Sequence, residues 1–160
     1  MMSKNIITRR SVCKAAVSLA LLPALSVSAF AKTVKRFSQS GKQLALKGYD
    51  TTAYFDTGKP ASGTNATVVK WKGATWRFVS EADAEQFRAD PEAYAPQFGG
   101  YCTRAMSLGK EVPGDPEVWR IHKGNLHVFF APKGGKFFDK DPDKMIKLAQ
   151  AHWKTLTLVE

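Results

Sequence analysis

The chain has two cysteines, Cys13 and Cys102, and the first falls in a segment expected to be removed. What is left has no second thiol for an intrachain disulfide, so the fold must rest on a packed apolar core. Residues 1–31 read as an export leader. Lys4, Arg9, Arg10 and Lys14 precede an apolar run from Ala15 to Val27, and Ala29-Phe30-Ala31 supplies the small residues for cleavage after Ala31. That run is shorter than the roughly 20 apolar residues needed to span a bilayer, so no stable membrane anchor is expected. Thr8-Arg9-Arg10-Ser11-Val12-Cys13-Lys14 resembles the twin-arginine export pattern, a route that carries folded proteins. The implied location is periplasmic and oxidising. An unpaired thiol there is trapped in a disulfide, oxidised or bound to metal unless burial protects it. Cys102 is therefore either a buried small hydrophobe or the centre of the function.

Removing residues 1–31 from the 160 leaves 129, the length of one domain. The leader carries +4 of the formal +10. The remaining cations are scattered, with no dense basic run interleaved with aromatics, so no nucleic-acid partner is expected. The charge reads as a solvated surface with weak affinity for anionic envelope material. Residues 32–43 are polar and aperiodic and read as a flexible lead-in; residues 44–156 read as the domain. Val68–Lys72 and Thr75–Val79 alternate around Gly73-Ala74, and Trp119–Lys123 and Leu126–Phe130 flank Gly124-Asn125; both predict hairpins. Ser80 caps a helix that Asp90-Pro91 stops. Tyr101–Leu108 predicts a short helix, and a last helix starts near Asp141-Pro142 and runs to about Leu156. The fold class expected is α+β: a small antiparallel sheet of two hairpins packed with short helices and a C-terminal helix.

Gly99-Gly100 before Tyr101-Cys102-Thr103-Arg104 predicts a loop feeding a helix. A thiol in a first helical turn meets unpaired backbone N–H groups, which favour the thiolate, and Arg104 adds to this if it is close. The alternative is a cysteine packed among Phe98, Tyr101 and Met106. With Gly124-Asn125 as the turn, His122 faces His127 across the second hairpin, close enough for two imidazoles to share a copper or zinc ion. Cys102 or Met106 above that face would complete a metal site; otherwise the pair is a polar sheet surface. His152 reads as helix packing. Trp71, Trp76, Trp119 and Trp153 read as core, and Tyr49, Tyr94 and Tyr101 as either packing or a pocket around Cys102. Asp50, Asp90 and Asp115 sit at turns, where capping explains them.

Several blocks together resemble the YHS domain. The run Phe78-Val79-Ser80-(x)2-Asp83-(x)3-Phe87-(x)2-Asp90-Pro91-(x)2-Tyr94 is similar to its core. Lys47-Gly48-Tyr49-Asp50, Trp71-(x)4-Trp76-(x)-Phe78, Tyr94-Ala-Pro-Gln-Phe-Gly-Gly-Tyr-Cys102 and Asp115-Pro116-(x)2-Trp119 resemble the exported single-domain branch, over roughly residues 44–155. Metal-binding members of the family carry cysteines where Val79 and Asp83 stand, so that thiolate site does not transfer. Some members of the branch are selenoproteins with selenocysteine at the position of Cys102, which implies a redox or soft-metal role for this residue. Three functions follow as expectations. One is a periplasmic copper-binding module using Cys102 with His122, His127 or Met106. The second is a thiol-dependent redox enzyme with Cys102 as nucleophile, although without a second cysteine disulfide exchange within one chain is excluded. The third is a structural domain whose cysteine is merely buried.

Overall fold

The computed structural model describes residues 31–41 and 43–160. The expected leader, apart from Ala31, lies outside the described residues. The fold is α+β. Its strands are β1 (Thr33–Lys35), β2 (Gln39–Ser40), β3 (Leu44–Ala45), β4 (Val68–Trp71), β5 (Ala74–Arg77), β6 (Asp115–His122), β7 (Asn125–Phe129) and β8 (Thr157–Val159). Its helices are α1 (Ala53–Asp56), α2 (Glu81–Ala89), α3 (Pro91–Tyr94), α4 (Thr103–Met106), α5 (Pro132–Phe138) and α6 (Pro142–Trp153). Among the described residues, no helix is long and apolar enough to cross a membrane.

Both predicted hairpins form, and they lie in different sheets. The first, β4–β5, belongs to a four-stranded sheet of order β2-β3-β5-β4, in which β3 runs parallel to β5; the second, β6–β7, stands as a pair of its own. Each turn falls one residue earlier than expected. Trp71 pairs with Ala74 and His122 with Asn125, so the central residues are Lys72-Gly73 and Lys123-Gly124. All four have positive φ, which matches the right-handed twist of the flanking strands, and lysine tolerates that conformation at the first position.

The segment expected to be a flexible lead-in is instead part of the fold. β1 pairs in parallel with β8, and Phe37 is buried against Trp71 and Trp76 with ring centroids 5.3 and 4.9 Å apart. Gly99 makes this docking possible: its carbonyl accepts from Ser38 N–H at 2.7 Å, and a Cβ there would lie 1.9 Å from the Arg36 carbonyl oxygen. The domain therefore extends past both expected limits, to Thr33 and Val159.

Ser80 and Asp83 form a reciprocal capping box on α2, whose Phe87 reaches into a core with Trp76 and Phe78. Asp90 both ends α2 and caps α3. Leu46 and Tyr54 pack on Leu126 and Val128 of the second hairpin, and Tyr54 Oη donates to the Pro116 carbonyl at 3.0 Å. Asp50 joins these two regions. Its carboxylate is fully buried and accepts from Thr52 N–H at 2.9 Å, Thr52 Oγ1 at 2.7 Å and Val79 N–H at 2.8 Å.

Asp50→Ala leaves the Val79 and Thr52 donors unsatisfied inside the protein. It should cost about 3 kcal/mol, read as a lower urea midpoint with an unchanged slope. A loss below about 1 kcal/mol would show that water or a rearranged loop replaces the carboxylate.

Candidate functional site

Cys102 is the N-cap of α4. It follows a run in which Phe98, Gly99 and Gly100 all take left-handed backbone conformations, the loop expected to feed this helix. Its Sγ accepts from Ala105 N–H at 3.3 Å, and its own N–H donates to the Val112 carbonyl at 2.7 Å. The thiol is free and only 3% exposed. It packs with Phe129, Phe138 and Met145. Phe98, Tyr101 and Met106, expected as its neighbours, form a separate cluster with Ala149 on α6 and with Leu156 just beyond that helix. Cys102, as the N-cap, has a non-helical backbone (φ −59°, ψ 114°), so its side chain does not follow the helical spacing that would place it beside Met106.

Beside the thiol is an apolar cavity of about 340 Å³, at the lower end of ligand-site sizes. Cys102, Ala105, Val112, Phe130 and Phe137 line its apolar part, and Arg104, Lys110 and Lys133 add three cations to the same walls. The hollow combines a sulfur atom, an apolar lining and positive charge. Tyr49, Tyr94 and Tyr101 do not line it. Tyr49 Oη donates to Glu117 at 2.8 Å, Tyr94 stacks edge-on to Phe55, and Tyr101 Oη donates to the Lys35 carbonyl at 3.1 Å.

His122 and His127 share a face of the second hairpin, but not as a directly opposed pair. The one-residue shift of the turn puts Arg120 opposite His127 and leaves the two histidines diagonal. Phe138 fills the space they border, with its ring centroid 5.8 Å from His122 and 5.1 Å from His127. His122 Nε2 meets Asp143 at 2.9 Å, and His127 Nδ1 meets Thr103 Oγ1 at 3.2 Å. Among the described residues, no three of His, Cys, Asp and Glu come together as a metal's ligands. Phe138 packs against His122, His127 and Cys102, and Met106 lies in a separate cluster, so the structure does not bring the four together as one ligand set. His152, half-buried near the end of α6, has its Nε2 2.5 Å from Glu111.

Arg104, Lys110, Lys133 and Phe137 were not singled out together by the sequence. Only Arg104 carried a signal, through its place two residues after Cys102. No family model, curated protein or solved structure matches the chain.

Burial, with a further push from His122, lowers His127 from its ordinary 6.5 to about 4. The ring is neutral in the folded protein near neutral pH and takes up a proton more readily when unfolded. Its contribution to stability is complete above pH 6.5 and falls as the pH drops from 6.5 toward 4, by roughly 3 kcal/mol in all. Urea midpoints across this window should follow that loss, and His127→Gln should flatten it. An unchanged slope in the variant would assign the loss to other groups.

Proposed function

We propose that this protein is an exported thiol-dependent redox module in which Cys102 acts on a small anionic substrate held in the adjoining cavity. The observation that carries this reading is a free thiol in the wall of an apolar hollow that also presents Arg104, Lys110 and Lys133. Cations around an apolar recess concentrate anionic reactants, and the recess keeps bulk water from the sulfur. The reaction is attack of the Cys102 thiolate on a substrate disulfide. A new sulfur–sulfur bond forms, the old one breaks, and the other half of the substrate leaves as a thiolate. A thiol from a second molecule then resolves the mixed disulfide, since the described residues hold no other cysteine. The resemblance of the Tyr94–Cys102 block to exported YHS domains supports the same residue.

A second reading, copper(I) bound by Cys102, rests on the two histidines that border Phe138 in the same region of the core. As they stand, the residues do not fit that ion: Phe138 would have to leave its place before His127 and Cys102 could share it.

Two methanethiosulfonates of equal reactivity and opposite charge test the first reading. The anionic reagent should modify native Cys102 about tenfold faster than the cationic one, and Arg104→Ala with Lys133→Ala should remove that preference. Labelling only after denaturation would make Cys102 a structural cysteine and sink the proposal. A copper(I) titration of the reduced protein beside Cys102→Ser tests the second. One-to-one binding lost in the variant supports it, and binding unchanged in the variant overturns it.

A further inference from the structure

One face of the protein is apolar and cationic at once. Leu108, Phe130, Phe137 and Leu148 are 56%, 65%, 38% and 48% exposed. They are contiguous: Leu108 and Phe130 share the Cys102 cavity with Phe137, and Phe137 borders the next hollow with Leu148. Arg104, Lys110, Lys133, Lys136, Lys140 and Lys144 line the same group of adjoining hollows. Among the described residues, none of these six cations is in an ion pair. The carboxylates nearest in sequence are engaged elsewhere, Asp139 by Arg120, Asp143 by Lys123 and Glu111 by Lys32. Asp141, the one acid lining these hollows, caps α6 through the Lys144 N–H. Arg104, Lys133 and Lys140 stand 4.9, 5.9 and 5.5 Å from the Phe137 ring centroid, so positive charge surrounds the exposed aromatic.

We propose that this face docks on the surface of an anionic phospholipid bilayer. Phe130, Phe137, Leu108 and Leu148 enter the headgroup region, and the surrounding cations meet the lipid phosphates. Long lysine stems lie along the apolar border and carry their charged ends outward, an arrangement suited to a plane with apolar depth and anionic surface. A folded protein partner would need carboxylates matched to fixed positions; these cations are unpaired and mostly lysine, which reads charge density rather than geometry. The face has nothing to span the bilayer, so the attachment is peripheral and reversible.

The test is sedimentation of the full chain with vesicles of phosphatidylcholine alone and of phosphatidylcholine mixed with phosphatidylglycerol. Using the full chain makes any contribution of residues 1–30 common to every variant. The protein should pellet with the anionic vesicles only, and binding should fall steeply between about 0.1 and 0.5 M salt. Lys133→Glu with Lys136→Glu and Lys140→Glu should weaken binding about tenfold or more. Phe130→Ser with Phe137→Ser should also weaken it, with circular dichroism confirming that both variants are folded. Cys102→Ser should bind like the parent, which separates this proposal from the thiol chemistry. Equal pelleting on neutral vesicles, or no loss in the lysine variant, overturns the proposal. So does capture by polyglutamate as tight as by vesicles and indifferent to the phenylalanine changes, which would mark a plain polyanion site.

Discussion

A single buried carboxylate sets the alignment of this fold. Asp50 accepts from the main chain where α1 begins and from the main chain where β5 has just ended. A charge in that position is tolerable only because three donors surround it. Its consequences extend outward from there. With Thr52 fixed, Tyr54 is aimed through the core to the Pro116 carbonyl, which seats β6. With Val79 fixed, Ser80 is placed to cap α2, and Phe87 is delivered to Trp76. The second hairpin, held by Tyr54 on one face, carries His127 and Phe129 on the other, and these form the inner wall behind Cys102 and Phe138. Lys47-Gly48-Tyr49-Asp50, which in the sequence reads as turn chemistry, is the joint between the two halves of the core.

What could be read from the sequence follows the strength of its local signals. The Ser80–Asp83 cap, the two hairpins and the periodic C-terminal helix are each specified within a few residues, and each forms. The turn register was harder to place. Lysine beside glycine gives no strong turn signal, yet Lys72 and Lys123 take the left-handed position, and the one-residue shift of the turn changes each residue's cross-strand partner by two positions. α5 contains Gly134-Gly135, which argues against helix by propensity; Gly134 lies close under Phe129 and Gly135 under Arg120, so packing overrides propensity there. β1 and β8 are three residues long and find partners only at the opposite end of the domain. No local pattern records a contact of that range.

The site shows the same division. Cys102 and its place at a helix start were legible, because a glycine pair, a cysteine and a following helix sit side by side. The cavity was not, because its walls come from α4, from the segment around Val112, from the turn after β7 and from α5. Nor could the sequence show that Phe138 stands between the histidines and the thiol. That one ring separates what looked like a ligand set into a titrating core histidine, a surface histidine paired with Asp143, and an isolated sulfur.

The pairing of Thr33 with Thr157 has a consequence for biogenesis. Nearly the whole described chain lies between these partners, so the strand pair cannot close until Val159 has left the ribosome. Both hairpins join strands adjacent in sequence, so each can form before β1 and β8 meet. The domain thus stays open along one seam until translation of this region is complete, with the Phe98–Trp153 cluster and its border of Val34 and Leu158 still accessible to chaperones or to a competing strand. A chain cut before Thr157 would keep the strands of both hairpins and leave that seam without its closing strand.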